Sequence, residues 1–163
     1  MDSAEGEINT KRIGQCTHAE GVITLRRQDD SLARLKAGMN IFEREEITTT
    51  GAAHATVAFI DHGNMAIDPT TSLRFERFQY NRSPDDICRI TLYHGVIGMM
   101  DGRIGAEPDA LIVDAGPMTL NIHAANLICR LAPNGVKADV TLLSPSSSTC
   151  GEILVHNNVA VET

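Results

Sequence analysis

Short apolar segments broken at intervals of roughly 8–12 residues by Gly, Asp, Asn or Pro run through this chain from Gly14 onward, and that spacing belongs to all-β domains. The segments "GVITLRR" (21–27), "EITTTG" (46–51), "HATVAFI" (54–60), "NMAID" (64–68) and "SLRFERF" (72–78) are β-branched or alternate apolar with polar. "CRITLYHGVIGMM" (88–100), "ALIVDAG" (110–116), "MTLNIHAANLICRL" (118–131), "KADVTLLS" (137–144) and "EILVHNNVAV" (152–161) continue the series. The pattern predicts an all-β fold of about ten short strands, stacked as a solenoid-like or distorted sandwich. Within it, Val57 with Phe59, Met65 with Ile67, and Leu73 with Phe75 each share the face that a core would take. One stretch, "DDSLARLKAGM" (29–39), fits a helix capped by Asp30 or Ser31 and stopped by Gly38. A β-turn followed by a strand fits it equally well. Residues 1–12 carry no periodicity and read as a disordered leader, leaving 13–163 as a single domain.

A chain of 163 residues with 42 % hydrophobic content can bury a core of its own. It has no Trp and only six Phe and Tyr together, so that core must be built from Val, Ile, Leu, Met and Ala. The formal net charge is −7. Residues 1–82 carry ten Lys/Arg and twelve Asp/Glu, whereas residues 83–163 carry four and nine. Such a surface repels phosphate, which argues against nucleic acid and against anionic membrane surfaces as partners. No apolar run approaches the ~20 residues of a membrane span. The polar start "MDSAEGEINTKR" is unlike a secretory signal peptide. It fits a cytoplasmic chain, or one whose export signal or anchor lies outside this sequence.

The stretch "AFIDHGNMAID" (58–68) sets a carboxylate beside a histidine and poses the question of a reactive centre. Adjacent residues of an extended segment point to opposite faces, so Asp61 and His62 do not converge on one substrate. "DHGN" reads instead as a turn, with Asp and Asn bonding their own backbone and Gly63 supplying positive φ. Asp61, His62, Gly63 and Pro69 are accordingly expected to be structural corner residues. The other histidines, His18, His54, His94, His123 and His156, show no HxH or HxxxH spacing, so no local metal motif is visible. Ligands assembled across strands stay open. Neither GxSxG, SxxK nor a phosphate loop is present, and no catalytic residue or cofactor is expected. Cys16, Cys88, Cys129 and Cys150 lack zinc spacing. They read as small buried hydrophobes, or as up to two disulfides in an oxidising compartment, with Cys129 and Cys150 the pair expected there.

Residues 14–161 resemble a FecR-type domain, the β-rich extracytoplasmic module of bacterial iron-transport regulators. The resemblance rests on order: "EGVITLRR", "LARLKAGMNIFEREEITTT", "ATVAFIDHGNMAIDPTTSLRFERFQYN" and "ITLYHGVIGMMDGRI". Phe59 and Asp61, the corner 69–72, and Phe78 with Tyr80 match its turn, corner and aromatic pair. In the family's threonine-proline and isoleucine-arginine-glycine-threonine stretch, Pro117, Thr119 and Ile122 fit. His123, Ala124 and Ala125 stand where arginine, glycine and threonine would be. The resemblance implies a non-catalytic domain of the periplasm or cell envelope that binds a protein partner or relays a signal. Residues 118–130 are the longest apolar run and hold the altered motif, so Met118, Thr119, Asn121, Ile122 and His123 are the expected partner-binding residues, acting through a strand edge. The alternatives are a metal- or ligand-binding module or enzyme with residues gathered across strands, Asp61, His62 and His123 first among them, and an envelope scaffold or adhesin module.

Overall fold

The computed structural model describes residues 11–100, 102–143 and 151–157. Fourteen strands run through them: β1 (Arg12–Glu20), β2 (Ile23–Arg26), β3 (Leu32–Arg34), β4 (Asn40–Phe42), β5 (Glu46–Thr49), β6 (His54–Phe59) and β7 (Asn64–Ile67), followed by β8 (Ser72–Gln79), β9 (Ile87–Met100), β10 (Leu111–Ala115), β11 (Met118–His123), β12 (Asn126–Leu131), β13 (Ala138–Leu143) and β14 (Glu152–Asn157). The fold is all-β. Its one helical feature among the described residues is a single 3-10 turn at Ile104–Ala106.

All fourteen strands belong to one sheet that curls about β9 into a half-barrel. The first part of β9 pairs with β8 on one side and, in parallel, with β10 on the other. Its second part pairs with β7 and β12. One arm therefore runs β3-β2-β5-β8-β9-β10-β11-β14, and the other β4-β1-β6-β7-β9-β12-β13. Gly95, with φ of 106°, sits where β9 passes from one arm to the other. A Cβ there would run into Thr71, so the bend requires glycine. Thr71 is fully buried, and its hydroxyl accepts from the Val96 N–H at 3.0 Å.

Alternation explains which side chains meet. β6 reads alternately half-buried and buried, putting Ala55, Val57 and Phe59 inside, and β7 does the same with Met65 and Ile67. On β8 a register shift between Phe75 and Arg77 resets the alternation, so Phe78 joins Leu73 and Phe75 inside. Phe59 on one arm stacks on Phe78 and meets Phe75 edge-on across the interior, with centroids 5.5 and 5.8 Å away. The arms thus share one core, filled chiefly by aliphatic residues as the composition requires.

Several expectations change in detail. Strand β1 begins at Arg12, inside the stretch read as leader; residues 1–10 lie outside the described residues. The segment 29–39 forms β3 and turns rather than a helix, with Asp30 and Gly38 at positive φ. The run 118–131 is two strands, not one, broken at Ala124 with φ of 51°.

Candidate functional site

The Asp61 corner is built from hydrogen bonds to backbone. Phe59 N–H donates to Gly63 O at 2.8 Å and His62 N–H to Phe59 O at 3.1 Å, closing the four-residue turn 60–63 between β6 and β7. The positive φ falls on His62, at 75°, and not on Gly63 as the sequence suggested. Gly63 is needed for another reason: a Cβ there would press on Asp61 Oδ1, the Gly102 nitrogen and the Met100 carbonyl. The Asp61 carboxylate is buried, 5 % exposed. It accepts from Gly63 N–H and Ile104 N–H, each at 3.0 Å, while its carbonyl accepts from Arg103 N–H at 2.9 Å. Both carboxylate oxygens are therefore engaged in tying this turn to the segment after β9. His62 points to solvent beside it, and Asp68 and Pro69 are exposed at the next corner. Thr49 holds that second corner, its hydroxyl donating to the Asp68 carbonyl at 2.7 Å. Asp61, His62 and His123 do not form one cluster.

His123 is half-exposed, and its Nε2 lies 3.0 Å from the Ala106 carbonyl. A carbonyl only accepts, so that nitrogen carries the proton. Nδ1 lies 3.6 Å from Glu152. The imidazole thereby links β11 to the 3-10 turn, and it pairs with Glu152 on β14 only as the doubly protonated cation. Around it, Ile122 is buried, Thr119 donates to Asp114 at 2.9 Å, and Asn121 meets His156 at 3.3 Å. Residues 118–130 do not present the expected strand edge. β11 is paired with β10 and β14, and β12 with β9 and β13. Thr119, Asn121 and His123 offer side chains from the outer sheet face, not main-chain groups, while Met118 packs against the core with Leu120 and Ile122.

A different grouping of donors stands at the other end of β6. His18 and Glu20 on β1 meet His54, with His18 Nε2 at 3.5 Å and His54 Nε2 at 3.4 Å from the two oxygens of Glu20. The imidazoles stack at 5.3 Å between centroids. A bulge makes this possible. Cys16 faces the core opposite Val57, and strict alternation would send His18 inward as well. The extra residue between them, Thr17, shifts the register so that His18 opposes Thr56 and Glu20 opposes His54. Ala19 then packs inward, and the two donor residues turn to solvent. Sequence reasoning missed this set because its spacing searches were confined to one segment. The trace it leaves is His18-x-Glu20 in a β-strand, with the bulge hidden.

The described thiols are withdrawn from solvent. Cys16, Cys88 and Cys129 are free and buried, and Cys150 lies outside the described residues. Desolvation pushes the Cys129 thiol up to about 11, helped by Asp139, and raises Cys88 further, helped by Asp61. Two open grooves of about 530 and 430 Å³ flank Tyr80. The first mixes Arg82 and Arg103 with Asp86 and Glu107; the second mixes Lys11, Arg12 and Arg77 with Glu43.

The open side of the molecule lies at β13 and β14, the last strands on the same side of β9 in each arm. Among the described residues each has one unpaired edge. Leu142 opposes buried Leu127 and Val155 opposes buried Leu120, so both face inward, yet they are 51 % and 49 % exposed. Among the described residues no strand covers these two side chains.

These features define an all-β domain curled about one long strand, with a bulged His/Glu face and an open apolar side. No family model and no curated protein matches the chain. It is similar to a solved cell surface anchoring domain at 29 % identity, over 38 % of this chain and 82 % of that one, with a TM-score of 0.37. No helix among the described residues is long and apolar enough to cross a membrane.

Proposed function

We propose that this is a non-catalytic, FecR-like domain of the bacterial envelope that binds a protein partner by strand addition at its open side. The observation that carries the reading is the coincidence, among the described residues, of unpaired edges on β13 and β14 with inward-facing Leu142 and Val155 left half-exposed. An unpaired edge offers main-chain donors and acceptors, and side chains at alternate positions offer apolar contacts. That combination selects an extended segment with apolar residues at every second position. Residues 83–163 carry nine acidic and four basic side chains, so basic residues flanking such a segment would be attracted. The partner surface is thus moved from the β11 edge to the β13 and β14 edges. The ordered signals shared with FecR-type domains support the envelope setting and a role in passing on a signal.

Photocrosslinking groups placed at Leu142 and Val155, with one at exposed Tyr93 as control, test this in envelope-exposed protein. The expected result is one common adduct from the two edge positions and none from Tyr93. The Leu142 adduct should weaken at least tenfold when Val155→Lys puts a charge on the inward face of β14. Equal adducts from all three positions, or none from the edges, would reject the reading.

A further inference from the structure

We propose that His18, Glu20 and His54 form a binding site for a divalent transition-metal ion of the zinc class. The site is independent of the open side and shares no residue with it.

Ligand chemistry comes first. Two imidazoles and one carboxylate are a donor set that zinc and its neighbours accept, with further positions left for water. Bonds of about 2.0–2.2 Å in a tetrahedral arrangement put neighbouring donors roughly 3.3–3.6 Å apart. His18 Nε2 stands 3.5 Å from one Glu20 oxygen and His54 Nε2 3.4 Å from the other, so each His–Glu pair by itself is spaced as two donors on one ion would be. All three donor atoms lie within 4.8 Å of one another. The two imidazoles stack with centroids 5.3 Å apart, and each presents its Nε2 to the same carboxylate.

The scaffold supports the same conclusion. The donors come from two paired strands whose Cα register, Glu20 opposite His54 and His18 opposite Thr56, is held by the main-chain ladder. Their placement is therefore set before any ion arrives. The Thr17 bulge is what turns His18 and Glu20 outward together. Neighbouring positions on this face are small: Thr56 opposes Ala66, and Ala66 opposes Gly98. Nothing bulky in that row blocks approach from solvent. With neutral imidazoles the cluster carries one negative charge, which a divalent cation converts to a single positive one.

The set can also exist without metal, as a carboxylate between histidines that pair with it only when protonated. Titration of the full chain with zinc chloride alone at pH 7.5, followed by calorimetry, separates the two. The expected result is one equivalent bound. Glu20→Gln, which keeps shape and removes the charge, and His54→Ala should each weaken binding by at least about tenfold, the scale reached even by groups that only support a metal ligand. His62→Ala and His94→Ala should leave it unchanged. Cobalt chloride should give visible absorption of a four- or five-coordinate ion in the parent protein and lose it in His54→Ala. Because the site bridges β1 and β6, saturating zinc should also raise the Tm of the parent and not of Glu20→Gln. Far-UV circular dichroism confirms that the variants remain folded. Absence of stoichiometric binding, or binding indifferent to all three residues, would overturn the assignment.

Discussion

β6 runs between two groupings of histidine with carboxylate. At its start, His54 meets Glu20 and His18 from a neighbouring strand, all turned to solvent and all with donor atoms uncommitted to backbone. At its end, Asp61 and His62 are adjacent in the chain, and their side chains part company: the carboxylate is buried between its own turn and the segment after β9, and the imidazole stands outside. Closeness along the chain produces a structural clamp, because a carboxylate next to a turn finds backbone N–H groups before it finds another side chain. Closeness across a ladder produces a set of convergent side chains, because register puts them on one face. The same residue types therefore serve opposite purposes at either end of one strand.

The strongest way to break this contrast is at the clamp. Asp61→Ala leaves the N–H groups of Gly63 and Ile104 without an acceptor in a buried setting. Each orphaned donor costs about 1–3 kcal/mol, so a loss of about 3–4 kcal/mol is expected in urea unfolding. Asp61→Asn keeps one acceptor oxygen but presents an amide to the second donor, and should lose about half as much. A change below about 1 kcal/mol for Asp61→Ala would mean that the carboxylate is not holding the corner.

A smaller effect of opposite sign is expected one residue on. His62 occupies the left-handed region, φ 75°, where a residue with a Cβ is disfavoured by roughly 1–2 kcal/mol. Glycine relieves that, less the greater freedom it has when unfolded. His62→Gly should therefore stabilise the protein by about 0.5–1 kcal/mol, read from the denaturation midpoint at unchanged slope. Destabilisation would show that the imidazole makes a contact worth more than the backbone conformation costs.

The fold was more legible than the sites, and the reason is periodicity. β6, β7 and the first part of β8 announce themselves because alternation of apolar with polar residues is the direct image of a sheet with one face on a core. β1 escaped because its alternation breaks at the Thr17 bulge and its first residues are charged. β3 and β4, of three residues each, are too short to show a period. The break between β11 and β12 falls on Ala124, an alanine in a left-handed conformation, which carries no turn signal at all. The helix suggested at 29–39 drew on Gly38 as a stop, and Gly38 does adopt positive φ, but it serves a turn before β4. The "DHGN" turn was visible because Asp, Asn and Gly encode turns locally, although the left-handed residue was misplaced by one. The His18, Glu20 and His54 set depends on which strand lies beside which, and in what register. Neither is written in any one segment.

The smallest effect expected is the sharpest test of the difference between the two ends of β6. Glu20 is 61 % exposed in its side chain, and its only described partners are two histidines that are uncharged unless protonated. Surface pairs of this kind contribute between nothing and about 1 kcal/mol. Without metal, Glu20→Gln should therefore leave stability within about 0.5 kcal/mol of the parent at neutral pH. The measurement is urea unfolding in the presence of a chelator, where any bound ion is stripped from both proteins. A carboxylate whose removal costs nothing to the fold is free to serve a ligand, which the buried carboxylate of Asp61 is not. A loss as large as that of Asp61→Ala would place Glu20 among the structural clamps and remove the contrast.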